Sequence, residues 1–222
     1  MKKTLSIIMI LAITATTLLG AGSAATLIAN FADVSANDWF FGYVEFAVRN
    51  GLFDGVSETE FAPDAPITRA MFITALWRLH SINNEQLSTN NVGEVLQNPQ
   101  NLIEFYDVAQ DAWYSEAIAW ASTNQLIFGV VEGIFAPHDE LTREQMATII
   151  YRYQRFSDTI LPDITVGGEF YDWHDTSPSG KHGVERITAQ GIMRGHYDGT
   201  FGPRGSVTRA EVAAVMMRLT EI

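Results

Sequence analysis

Val207-Thr208-Arg209-Ala210-Glu211-Val212-Ala213-Ala214-Val215-Met216-Met217-Arg218-Leu219 reads as the opening and body of an amphipathic helix. Thr208 is a good N-cap, and Glu211 three residues later completes a capping box. Val212, Val215, Met216 and Leu219 fall at i, i+3, i+4 and i+7, the stripe of a helix with one buried face. The same opening recurs at Thr68-Arg69, followed by Phe72, Ala75, Leu76 and Leu79, and at Thr142-Arg143, followed by Met146, Ile149, Ile150 and Tyr153. One unit is therefore present three times. Three such stripes can bury one another, which predicts a mostly α domain with pseudo-threefold symmetry, a central three-helix bundle and helix-loop prongs.

The repeat extends upstream of the helix. Phe31, Asp33, Trp39, Gly51, Gly55, Phe61, Pro63 and Arg69 return at a constant shift as Phe105, Asp107, Trp113, Gln125, Gly129, Phe135, Pro137 and Arg143. In the third copy Gly191, Gly195, Phe201, Pro203 and Arg209 keep the register, while Phe170 and Asp172 sit one residue further out. Thr176 to Lys181 there replaces the Asp-Trp spacing, so the third copy is the divergent one. A first helix is expected over Trp39 to Arg49 and Trp113 to Asn124, with Tyr43, Phe46 and Ala47, or Ala117, Trp120 and Ala121, at helical spacing. Gly51 or Gly191 ends it in the usual C-terminal manner. Gly55, Gly129 and Gly195 then mark a loop that needs positive φ or close backbone approach. Single repeats are too small to bury much alone, so one packed domain is expected rather than three beads.

The first residues are of another kind. Lys2-Lys3, the apolar run Leu5 to Leu19 and Ala21-Gly22-Ser23-Ala24-Ala25 have the three parts of a secretory signal. The expected organisation is a signal over 1–24, repeats over 25–80, 105–156 and 170–222, and linkers over 81–104 and 157–169. The first linker carries a polar helix near 92–97 by this reading. The whole chain has a formal charge of -12; losing two lysines and no acidic residue makes the mature chain -14. Such acidity argues against nucleic acid, which needs a basic face, and against anionic lipid. With no cysteine there is no disulfide framework and no thiolate metal site.

The chemistry concentrates at the Thr-Arg step. Thr is accounted for by capping, but a cation in the first helical turn typically costs some tenths of a kcal/mol up to about 1. Either each Arg pairs with an internal carboxylate, such as the Asp of its own or a neighbouring repeat, or free helix N–H groups and the guanidinium together hold an external anion. Spacing alone leaves both open.

Phe31-Ala32-Asp33-Val34, Phe105-Tyr106-Asp107-Val108, the Gly-x-x-x-Gly to Phe-x-Pro loops, Ile67-Thr68-Arg69-Ala70 and Val207-Thr208-Arg209-Ala210-Glu211 resemble surface-layer homology (SLH) repeats. The resemblance spans nearly all of the chain after the signal. It implies an exported, wall-located protein that anchors non-covalently to an anionic, pyruvylated secondary cell-wall polysaccharide in grooves between prongs. It further implies ligand contacts from Arg69, Arg143 and Arg209, with Asp33, Asp107 and Asp172 at the Phe-x-Asp position, Trp39 and Trp113 stacking on sugar, and Gly55, Gly129 and Gly195 in the loops. Loop capping or Arg pairing also accounts for the Asp positions. The third copy lacks the Trp and has Trp173 and Lys181 nearby, so its groove is expected to be altered or silent. No cofactor or metal is implied. Replacing Arg69 or Arg143 is expected to weaken wall binding while barely moving the melting temperature.

Enzyme motifs such as Gly-x-Ser-x-Gly, His-Glu-x-x-His or a Walker loop are missing from the sequence. His174, His182 and His196 gather in repeat three, where an exported hydrolase would have to place its site. A surface assembly or adaptor protein carrying a protein cargo is the other class this pattern allows.

Overall fold

The computed structural model describes residues 31–85, 105–157 and 170–221. The expected signal, most of both linkers and the expected helix near 92–97 lie outside the described residues.

Among the described residues six α-helices carry the fold: α1 (Phe41–Arg49), α2 (Arg69–Glu85), α3 (Ser115–Thr123), α4 (Arg143–Phe156), α5 (Lys181–Ala189) and α6 (Arg209–Leu219), with a 3-10 turn at Trp173–Asp175. The Thr-Arg helices start where expected, each on the Arg. Thr142 and Thr208 form complete capping boxes with Gln145 and Glu211. Thr68 makes half of one: its Oγ1 accepts the Met71 N–H at 3.3 Å, because Met71 has no oxygen to return. Their apolar stripes supply the centre of the core, with Phe72, Leu76, Met146, Ile150, Val212 and Met216 fully enclosed.

The first helices begin two residues later than expected. Residues 35–40 wind through turns closed by Asp38 N–H to Ser35 O at 2.9 Å and Phe41 N–H to Asp38 O at 3.1 Å. Trp39 and Trp113 therefore sit ahead of the helices, not in their first turn. At the other end Gly51 (φ 64°) and Gly191 (φ 73°) take the left-handed conformation that terminates a helix, and so does Gln125 (φ 57°), where the glycine is lost.

Backbone hydrogen bonds join the repeats head to tail. Ile67 donates to Val207 O at 2.9 Å, Val207 to Leu141 O at 3.0 Å, and Leu141 to Ile67 O at 3.0 Å. The three buried residues thus close a ring of amides. Helix packing follows the same order: α2 lies against α3, α4 against α5, and α6 returns to α1. Each Thr-Arg helix is covered by the first helix of the next repeat, and α2 also touches α6. At the α4–α5 contact a Cβ on Gly183 would come within 2.8 Å of Thr148 Cα, so only glycine allows that approach.

Candidate ligand-binding site

The three aspartates hold the Phe-x-Pro loops. Asp33 accepts the Phe61 and Ala62 N–H groups at 2.9 and 2.7 Å, Asp107 those of Phe135 and Ala136 at 2.9 and 2.7 Å, and Asp172 those of Phe201 and Gly202 at 2.8 and 2.7 Å. A carboxylate that receives two amides can hold the second of them at positive φ, as Ala62 (57°), Ala136 (59°) and Gly202 (68°) require. The phenylalanines at the start of these loops are fully buried and lean on Phe31, Phe105 and Phe170 at 5.8, 5.4 and 5.5 Å.

Each arginine crosses into the next repeat. Arg69 Nε donates to Phe135 O at 2.9 Å, Arg143 Nε to Phe201 O at 2.7 Å, and Arg209 Nε to Phe61 O at 2.8 Å. The guanidiniums stand over those same rings at 4.5, 4.8 and 4.5 Å. Burial lowers all three pKa values against the pull of nearby carboxylates, Asp139 and Asp107 for Arg69, Glu211 and Asp172 for Arg143, and Asp33 and Asp54 for Arg209. The partner is thus mainly a carbonyl of the following repeat, with that repeat's Asp close behind it.

The helix N–H groups offered to an external anion are taken. Arg69 and Ala70 donate to Asp139 O and Pro137 O, Arg143 and Glu144 to Gly205 O and Pro203 O, and Arg209 and Ala210 to Ala65 O and Pro63 O, all at 2.9–3.0 Å. The Thr hydroxyl takes the third amide of each helix. Ring closure between repeats satisfies the helix starts, so an anion would have to be met by side chains.

The three guanidiniums differ beyond Nε. Arg143 also donates to Glu211 Oε1 at 2.9 Å and to Arg194 O at 2.7 Å. Arg209 adds Asp54 O at 2.7 Å. Arg69 is 5% exposed, yet its two terminal nitrogens bond no other group among the described residues. It lines a cleft of about 250 Å³ whose walls include Phe128, Gly129, Gln145, Arg152 and Ser177. Two guanidiniums and the Glu144 carboxylate leave the cleft one positive charge on a strongly acidic protein.

The other expected site residues are spread more widely. Gly129 lines this cleft, and Gly195 a second cavity with Phe170, Met193 and Arg194. None of the three loop glycines has positive φ; they are needed for close approach, since a Cβ on Gly55 would meet Ser57 O and Phe31 at 2.5 Å, and one on Gly129 or Gly195 equally crowded loop carbonyls. Trp39 and Trp113 are 60% and 62% exposed, outside the cleft lining. In repeat three the replacement segment reaches across to repeat two: Ser177 N–H donates to Glu144 Oε2 at 2.8 Å, and Ser177 and Ser179 wall the Arg69 cleft. Lys181 stands over Trp173 at 5.7 Å. The three histidines take separate surroundings, His174 beside Asp175 and His182 on Tyr151 Oη at 2.9 Å.

A second arginine series escapes the motif reading. Arg78, Arg152 and Arg218 each follow the first by nine residues, a spacing visible in the sequence. They donate to carbonyls two or three residues past the end of the first helix: Arg78 to Gly51 O and Leu52 O at 3.2 Å, Arg152 to Leu126 O at 3.3 Å and Arg218 to Ile192 O at 2.9 Å. A cation suits a helix C-terminus. Arg152, over Phe128 at 4.7 Å, also reaches the cleft.

The family model described as the S-layer homology domain matches residues 30–71, 104–147 and 169–213. Similar proteins include the Surface-layer 125 kDa protein of Lysinibacillus sphaericus, 30% identical over 90% of this chain and 16% of that protein. The Cellulosome-anchoring protein of Acetivibrio thermocellus is 26% identical over 72% of this chain and 33% of its own length. The Amylopullulanase of Thermoanaerobacterium thermosulfurigenes is 29% identical over 86% of this chain but only 9% of the enzyme. The chain thus spans a third or less of each of these relatives.

Proposed function

The chain belongs to the S-layer homology domain family, and from that premise we propose that it anchors to the cell surface by holding an anionic wall polysaccharide, its acidic sugar substituent meeting Arg69. The observation that carries this reading is an arginine 5% exposed, facing a cleft, with both terminal nitrogens unpaired among the described residues. A buried cation that spends one donor and keeps four wants a planar acceptor with two oxygens, and a carboxylate fits that fork. Gln145, Ser177, Ser179 and the Gly129 loop offer neutral polar contacts to hydroxyls around it, and Phe128 an apolar wall. A pyruvyl ketal supplies such a carboxylate on a sugar. Because protein and polymer are both acidic, attraction must come from this local contact, net repulsion being screened beyond roughly 8 Å.

The relatives named for a surface layer and for cellulosome anchoring support a surface location. The test is sedimentation of residues 25–222 with purified wall sacculi before and after mild acid removal of pyruvyl ketals. Binding should fall sharply after the treatment. Undiminished binding would remove the ketal, and no binding to either preparation would remove the anchoring role.

A further inference from the structure

Between the loop Phe and the loop Asp each repeat holds one outward residue. Phe105 is buried and Asp107 turns to the loop amides, while Tyr106 between them is 85% exposed. Tyr171 stands likewise between Phe170 and Asp172, at 80%. Neither ring hangs free. Tyr106 N–H donates to Gly133 O at 2.9 Å and Tyr171 N–H to Gly199 O at 3.1 Å, and each ring is seated on that glycine. A Cβ on Gly199 would fall 2.6 Å from the Tyr171 ring, and one on Gly133 closer still to the ring of Tyr106. Repeat one keeps the same backbone bond, Ala32 N–H to Thr59 O at 2.8 Å, with neither tyrosine nor glycine. The ring and its seat are thus present together or absent together.

So exposed a side chain buries little area for the fold, and Ala32 shows that the loop closes without it. A ring already held in place binds at small cost in side-chain freedom. We propose that Tyr106 and Tyr171 are two aromatic platforms on the prong loops that stack against the C–H face of a neutral sugar, a hexose or an N-acetylhexosamine. The proposal goes beyond the anionic-polymer reading and does not rest on it: the ligand needs no carboxylate, and neither tyrosine lines the Arg69 cleft. Glu132 and Asp198 stand exposed in the same turns as the two glycines. Asp198 accepts the Thr200 hydroxyl at 2.6 Å and its N–H at 3.0 Å, and these bonds hold its carboxyl below the usual carboxylate range. A negative charge therefore stays beside Tyr171. Carboxylates there accept sugar hydroxyls and repel an acidic substituent, which selects a neutral ring. A protein hot spot would want the tyrosine enclosed by apolar neighbours, whereas here only the glycine side is closed.

The experiment is titration of the full chain, with its tyrosine rings isotopically labelled for NMR, by chitotetraose and separately by cellotetraose. Neither probe carries a carboxylate, so the outcome leaves the Arg69 reading untouched. Both ring signals should shift and saturate with one of the probes. Tyr106→Ala and Tyr171→Ala should each weaken binding about two- to tenfold, the range of a single aromatic contact. Phe at either position should keep the affinity, with melting temperatures retained throughout. Ala32→Tyr combined with Thr59→Gly should add a third responding ring. Absence of a saturable shift at either ring with both probes overturns the proposal, and that result needs only the unmutated chain. Binding that both Ala substitutions leave unchanged overturns it as well, and would put the sugar on Trp39 or Trp113. Ring shifts that follow protein concentration without sugar would give the two faces to a second copy of the chain, which also ends the proposal.

Discussion

At the residue scale the arginines hold the repeats together and at the same time differ in what they leave free. Removing Arg143 strands Phe201 O, Arg194 O and the Glu211 carboxylate; removing Arg209 strands Phe61 O and Asp54 O; removing Arg69 strands Phe135 O. Each acceptor left without a donor costs about 1–3 kcal/mol where water cannot reach it. The expected order of destabilisation by Ala is therefore Arg143, then Arg209, then Arg69, at about 2–4 °C per kcal/mol for a domain of this size. Binding should run the other way, with Arg69→Ala losing most. Melting curves and sacculus binding on the three single variants test this. Equal melting losses, or the largest binding loss at Arg143, would contradict it. For Arg69 and Arg143 this order replaces the sequence-based expectation of an almost unchanged melting temperature, because both side chains are buried and bonded to a carbonyl of the next repeat.

At the element scale the helix ends carry the most sequence information. Thr before Arg fixes three helix starts to the residue, because a Thr hydroxyl accepting the amide three residues on is a local device. Gly51 and Gly191 mark two of the three stops for the same reason. Gln125 occupies the third at φ 57°, a conformation that costs a residue with a Cβ roughly 1–2 kcal/mol. Gln125→Gly should raise stability by about 0.5–1 kcal/mol once the looser unfolded chain is counted, read as a higher urea midpoint at unchanged slope; a lower midpoint would mean that Gln125 makes a compensating contact. What was not legible is equally specific. Trp39 and Trp113 fall at helical spacing, but turns over residues 35–40 push the start of α1 past Trp39, and turns before Ser115 do the same in repeat two. The loop aspartates cap loops, one of the roles the sequence leaves open for them, but the amides they accept lie two dozen and more residues away, so no local pattern names the partners. The Arg69 cleft takes residues from all three repeats, so motif alignment finds its first arginine and Gly129 and not its far wall.

At the scale of the molecule, the order of the contacts distinguishes this fold from a linear repeat array. In an open array each unit touches its neighbours and the ends can fray independently. Here Arg209 and α6 of repeat three return to the Phe61 loop and α1 of repeat one, and the amides of Ile67, Leu141 and Val207 close on one another. No repeat is terminal, so loss of one junction opens the ring and exposes the apolar stripes of all three helices at once. A single cooperative transition is expected, and Arg209→Ala should lower it uniformly. Hydrogen exchange followed by peptide mass in rising urea gives the reading, with segments 31–85, 105–157 and 170–221 as three reporters. All three should lose protection at one midpoint in wild type and at one lower midpoint in Arg209→Ala, including segment 105–157, although the bonds of Arg209 go to repeat one. If segments 31–85 and 170–221 lose protection first while 105–157 keeps its wild-type midpoint, the repeats stand as separable units and the closed ring does not govern stability.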